Sequence, residues 1–150
     1  MAMTMKGEVS LSADRQTVWQ KLNDPEVLKA CIPGCQTLDR TGENGFTAVV
    51  KLKVGPVSAT FRGNVELSDL DPPNGYRISG SGEGGIAGFA KGGASVRLTD
   101  IEGGGTLLSY DVEANVGGKI AQLGARLIDG VAKKNADQFF ASFAENVKAG

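Results

Sequence analysis

Two cysteines, Cys31 and Cys35, frame Ile-Pro-Gly and are the side chains here with the most obvious chemistry. Thiols can hold zinc or exchange disulfides, but zinc usually takes four ligands and the chain has no further cysteine and no histidine. The C-x-x-x-C spacing also differs from the C-x-x-C of dithiol oxidoreductases. Neither a metal site nor a redox centre is expected, and the pair reads as ordinary buried thiols beside a Pro-Gly turn. A second pattern, Gly80-Ser-Gly-Glu-Gly-Gly85, matches the dinucleotide signature G-x-G-x-x-G, with Asp100 about 20 residues on. That signature works by presenting a helix N-terminus to a pyrophosphate. Here Ile86-Ala-Gly-Phe-Ala-Lys-Gly-Gly93 leads into another strand, so the glycines read as a loop with Ile86 and Phe89 as its apolar tips.

Catalytic groups are equally scarce. Serine hydroxyls have no histidine to activate them. The acids Asp69, Asp71, Asp100, Glu102, Asp111 and Glu113 fall in turns or on outward strand faces. Tyr76 and Tyr110 are the obvious polar groups on inward faces; each could orient a ligand carbonyl or simply satisfy its hydroxyl on backbone in a core. Trp19 reads as a packing anchor between the first helix and the last. No catalytic residue and no cofactor is called for.

The elements that would position these groups are legible from periodicity. Val57, Ala59, Phe61, Gly63, Val65 and Leu67 alternate with Ser58, Thr60, Arg62, Asn64, Glu66 and Ser68, as in an antiparallel strand with one covered and one wet face. Similar alternation predicts strands over Met5–Leu11, Phe46–Leu52, Tyr76–Gly82, Gly88–Thr99 and Thr106–Val116, with a weaker one at Cys35–Arg40. Ser12 is expected to cap a short helix carrying Val18, Trp19 and Leu22, and Asn23-Asp24-Pro25 ends it and opens another, Glu26–Cys31. From Lys119 to Val147 a stripe of Ile120, Leu123, Leu127, Val131, Phe139, Phe143 and Val147 predicts one long helix of on the order of 40 Å. Gly124 and Gly130 lie inside it and should each cost ~1 kcal/mol against alanine, which close approach to the sheet or to a ligand would explain. The fold class is α+β: seven strands in a curved antiparallel sheet, two short helices after the first strand, and a long C-terminal helix.

Composition narrows the function classes. At 150 residues the chain is one domain of ordinary size, residues 1–150. Lysine and arginine total 16 against 17 aspartate and glutamate, without a block of like charge, so nucleic acid is not an expected partner. No apolar run reaches the roughly 20 residues of a membrane span, and the opening residues lack a signal-peptide core. A cytoplasmic location is expected.

Several phrases resemble the carbon monoxide dehydrogenase CoxG family of the START-like helix-grip superfamily. They are Val18-Trp-Gln-Lys-Leu-Asn-Asp-Pro25, Leu28-Lys-Ala-Cys-Ile-Pro-Gly-Cys35, the glycine-rich loop Gly84–Gly93, and Asn115-Val-Gly-Gly-Lys-Ile-Ala-Gln-Leu-Gly124. The resemblance covers nearly the whole chain. It implies a seven-stranded sheet wrapped around the C-terminal helix with a lipophilic cavity between them. It also implies an accessory role beside a molybdenum hydroxylase of the carbon monoxide dehydrogenase type, with a quinone-like acceptor. Many members carry a linker and an apolar anchor after the domain, whereas this sequence ends at Asn146-Val-Lys-Ala-Gly150. Contact with the inner face of the membrane is accordingly expected to be peripheral.

Together these readings give a non-enzymatic protein that binds a hydrophobic small molecule, a quinone or lipid, between sheet and helix. The small inward residues Ala48, Ala59, Gly63, Gly80 and Gly82 would leave it room. The expected pocket wall is Phe61, Tyr76, Ile78, Val96, Tyr110 and Val112 from the sheet with Leu123, Leu127 and Val131 from the helix. Cys31, Ile32, Pro33, Ile86 and Phe89 are expected to frame its mouth. Two alternatives use the same elements: a cyclase-like enzyme, which would need an acid or base in the cavity, and a protein-interaction domain whose cavity is packed shut.

Overall fold

The computed structural model describes residues 1–149. Strand β1 (Ala2–Leu11) leads into two short helices, α1 (Arg15–Leu22) and α2 (Pro25–Cys31). Six strands follow: β2 (Cys35–Arg40), β3 (Gly45–Val54), β4 (Val57–Asp71), β5 (Gly75–Glu83), β6 (Phe89–Ile101) and β7 (Gly105–Gly117). A 3-10 turn at Lys119–Leu123 precedes the terminal helix α3 (Ala125–Ala149). The strands form one antiparallel sheet in the order β1-β7-β6-β5-β4-β3-β2, so β2 to β7 are a meander and β1 closes on its last strand. This is the expected α+β arrangement, and the alternating faces lie where the period-two pattern puts them: along β4, burial alternates residue by residue from Val57 to Leu67.

The tight turn after Val54 sets the register of β3 against β4, pairing Val54 with Val57 and therefore Ala48 with Gly63. Gly63 in turn faces Gly82 across β4 and β5. A row of residues with little or no side chain thus crosses three adjacent strands.

Three local expectations are corrected. The cap of α1 is Asp14, not Ser12: its carboxylate accepts the Thr17 amide at 3.0 Å, and hydrogen bonding from Thr17, through its side chain first and its amide second, holds the Asp14 carboxyl below its usual range. The loop before it is tied down by Thr106, whose fully buried hydroxyl donates to the Ala13 carbonyl at 2.7 Å. Helix α2 begins at Pro25, which occupies the first turn where its missing N–H costs nothing, and Asp24 caps it through the Glu26 amide. Residues 119–147 are not one helix. Gly124, at φ +97° and ψ 154°, separates the 3-10 turn from α3. Its conformation is one that residues with a Cβ scarcely adopt, which explains the glycine there better than close packing does, since a methyl would meet nothing within 4 Å.

The apolar residues between sheet and helices form two groups. One gathers Leu11, Val18, Leu22, Phe46, Leu67, Tyr76, Leu98, Leu108, Phe143 and Val147 under α1, α2 and the second half of α3. The other gathers Val54, Ala87, Val116, Ile120 and Ile128 under the first half of α3. Trp19 belongs to the first group and meets Tyr76 of β5 edge-on, ring centroids 5.3 Å apart.

Candidate functional site

Beside the first group the inner face does not close. A cavity of about 390 Å³ lies there. Its floor carries Ala48, Gly63 and Gly82, the row of small residues that the register lines up across β3, β4 and β5. Larger side chains on the same strands form its sides: Phe46 and Val50 from β3, Phe61, Val65 and Leu67 from β4, and Tyr76 and Ile78 from β5. Val96 and Leu108 extend it across β6 and β7. Leu22, Leu28, Ile32 and Leu38 close the end under the short helices, and Phe139 and Phe140 form the α3 wall. Every lining side chain but one is a hydrocarbon or a glycine; the exception is Tyr76.

Tyr76 is 7% exposed, and among the described residues its hydroxyl makes no hydrogen bond within the chain. Burial pushes its phenol well above the ordinary tyrosine range, so it is neutral at any physiological pH.

The expected wall residues divide. Phe61, Tyr76, Ile78 and Val96 line the cavity, and so does Ile32 of the expected mouth. Tyr110 does not. Its ring covers Gly7 of β1, where a Cβ would collide with it, and stacks on Phe140 at 5.1 Å, so it stands behind the wall. Val112, two residues along β7, is half-buried outside the cavity. Leu123, Leu127 and Val131 pack on the second, filled group, because the break at Gly124 seats the start of α3 over that end of the sheet. Cys31 is buried in the first group away from the lining, and Pro33 lies on a separate surface groove along β3 and α3. The loop carrying Ile86 and Phe89 also sits at the filled end: Ala87 is buried in that group, Phe89 leans on Gly117, and Ile86 is 90% exposed.

Phe61 alone belongs to both ends, lining the cavity while packing on the filled group. It is the partition between them. The lining residues that sequence reasoning passed over are Phe46, Val50, Val65, Leu67 and Leu108 on the inward strand faces, and Leu22, Leu28, Leu38, Phe139 and Phe140 from the short helices, the edge strand and the far half of α3.

Elsewhere the surface offers wider hollows of a different kind. One of about 710 Å³ runs along Thr41–Phe46, Asn64, Glu66, Ser79, Ser81 and Lys91, whose polar side chains are mostly exposed to water. No group of three or more metal-ligating side chains comes together among the described residues. Both thiols are free, and burial pushes each above its usual range, which leaves little reactive thiolate at neutral pH.

The sequence matches the carbon monoxide dehydrogenase CoxG family over residues 7–148. The chain belongs to that family. Its members are accessory proteins of the dehydrogenase, and the fold is the START-like helix grip. A conserved protein from Geobacillus kaustophilus superposes with a TM-score of 0.92 at 33% identity, covering 98% of this chain and 96% of that one. A START superfamily protein from Mycobacterium smegmatis gives 0.72 at 14% identity over 97% of both chains. An aromatase/cyclase from a Streptomyces species gives 0.71 at 13% identity over 99% and 94%. The last two likenesses establish the shared fold alone. No curated protein matches the chain. No helix among the described residues is long and apolar enough to cross a membrane.

Proposed function

We propose that this chain binds an uncharged lipophilic molecule, quinone-like or lipid, in the cavity between sheet and α3, without transforming it. The observation that carries the reading is the cavity itself: about 390 Å³, within the ordinary size of small-molecule pockets, and lined by a single heteroatom-bearing side chain. An apolar site of this kind gains affinity from the area it removes from water, about 25 cal/mol per Å². It offers nothing to a charged ligand, which would lose its hydration without a partner. Family membership supports an accessory role to a molybdenum hydroxylase of the carbon monoxide dehydrogenase type. The exposed Ile86 and the half-exposed Phe89 support a peripheral membrane contact, which this reading places at the inner face of the membrane with the chain cytoplasmic.

The competing reading is a cyclase-like enzyme, in line with the fold it shares with an aromatase/cyclase. Such an enzyme would work through an acid or base in the cavity, and the lining supplies only the Tyr76 phenol. Native mass spectrometry of the purified protein, with organic extraction of what it carries, tests the proposal. The expected result is one bound neutral lipophile per chain, recovered unchanged. A protein that neither co-purifies with such a molecule nor binds an added naphthoquinone saturably would overturn it.

A further inference from the structure

The cavity has one polar group, and its position is specific. Tyr76 projects from β5 into a wall of hydrocarbon, more than nine-tenths buried, with its ring fixed edge-on against Trp19. A buried hydroxyl normally finds a partner in the chain or in solvent, and no side-chain polar atom among the described residues is both sealed from solvent and unpaired. Here the chain provides no partner among the described residues, although the hydroxyls and amides of the neighbouring turns are engaged elsewhere: Asn74 with Arg15 and Asp71, and Thr106 with Ala13. Tyr110, the other inward tyrosine, differs by its place: its ring covers Gly7 and stacks on Phe140 outside the cavity.

We infer that the Tyr76 hydroxyl is the specificity-determining donor of this site, selecting a neutral lipophile that presents one acceptor oxygen, such as a ketone or quinone carbonyl. The inference rests on the binding function proposed above and adds to it which chemistry is read and by which atom. A neutral phenol donates one hydrogen bond. The lining holds no cation to neutralise a carboxylate and no carboxylate to receive an amine, so the oxygen it meets belongs to an uncharged group. Apolar area supplies most of the affinity for any such molecule. The hydroxyl then separates ligands of equal area by whether they satisfy it, as sites with a buried donor reject analogues that cannot pair with it.

The test compares two probes of nearly equal shape, 2-methyl-1,4-naphthoquinone and 2-methylnaphthalene, on the wild type, Tyr76→Phe and Tyr110→Phe. Trp19, the chain's single tryptophan, sits against Tyr76, and its fluorescence reports occupancy. Tyr76→Phe should weaken the quinone roughly 3- to 10-fold, the equivalent of one net hydrogen bond, and leave methylnaphthalene unchanged. Tyr110→Phe should change neither. Because the Tyr76 hydroxyl has no partner in the chain, Tyr76→Phe should melt no lower than wild type. Equal loss for both probes, or an unchanged quinone affinity, overturns the donor role while leaving the cavity reading intact. So does binding of 2-naphthoate at pH 7 as tightly as the quinone. If neither probe binds wild type, the cavity reading fails and the donor role fails with it.

Discussion

Gly82→Leu should make the chain more stable and abolish the ligand binding proposed above. Gly82 is on the cavity floor, and a Cβ built there meets only the Arg62 carbonyl oxygen, at an ordinary 3.8 Å. The Cβ position is therefore open, and the rest of a leucine side chain would extend over the cavity floor. Burying a leucine side chain against this apolar lining stabilises by about 1.5–3 kcal/mol. Removing a glycine from the unfolded ensemble adds ~0.4–1 kcal/mol, and ordering the leucine rotamer costs ~0.5–1 kcal/mol. The net is a gain of ~2 kcal/mol, or a rise in melting temperature of about 4–8 °C for a domain of this size.

The ligand response should move the other way. A naphthoquinone at 100 times its Kd adds ~2.7 kcal/mol to the wild type, a shift of about 5–11 °C. With much of the volume already occupied, the variant should shift by less than about 1 °C. Thermal melts of both proteins with and without quinone read all four quantities at once. Gly82→Ala, which fills little, should keep the ligand shift and so separates the backbone change from the filling. A Gly82→Leu variant that melts below wild type, or that keeps its quinone shift, would refute the reasoning, since either means that the floor is not open at this position.

Gly124→Ala should lower stability by ~1–3 kcal/mol through backbone strain at φ +97°, with quinone affinity unchanged because Gly124 is outside the cavity; chemical denaturation and a binding isotherm check both halves. Gly130→Ala, exposed within α3 and with open space around it, should stabilise by ~0.4–1 kcal/mol in the same denaturation assay. Tyr76 is the one titratable group in the lining, and burial raises its folded pKa above its unfolded value near 10. It should therefore contribute stability that is complete below pH 10 and is progressively lost as pH rises above it, while quinone affinity stays flat from about pH 6 to 9. Cys31 and Cys35, both raised by burial, should resist iodoacetamide at pH 7.5 in the native protein and react fully in denaturant, as mass spectrometry would count.

The strands were legible because each has one dry and one wet face, and period two carries that difference along the chain without reference to anything distant. The break in the 119–147 segment was not, because Ile120 of the 3-10 turn is buried in the same group as Ile128 of α3 and continues the apolar stripe across Gly124. Alternation fixes which face of a strand is inward. It says nothing of where along that face the covering helix stands away. For this reason periodicity places Leu123, Leu127 and Val131 at the pocket with the same warrant as Phe139, yet only the far half of α3 borders the void. A usable signal did exist. The short turn at Gly55-Pro56 pairs Val54 with Val57, and counting back from it puts Ala48 opposite Gly63.

That row explains why one half of the interior is filled and the other hollow, although both are built from the same alternating strands. At the filled end, Val54, Val57 and Leu127 approach so closely that a Cβ at Gly55 would meet the Leu127 methyl at 2.7 Å. At the hollow end, three adjacent strands present Ala48, Gly63 and Gly82 while Phe46, Phe61, Tyr76, Phe139 and Phe140 stand around them. Aromatic walls about a floor of such small residues resist closing inward where the rings already rest on a neighbour: Phe139 on Phe140 at 5.0 Å, Phe140 on Tyr110 at 5.1 Å, Tyr76 on Trp19 at 5.3 Å. A hydrocarbon occupant would take this apolar lining out of water and stabilise by about 25 cal/mol for each Å² it covers. On the proposed function, stability and ligand binding are two readings of one feature, and Phe61, which packs on the filled group and lines the cavity, is where they meet.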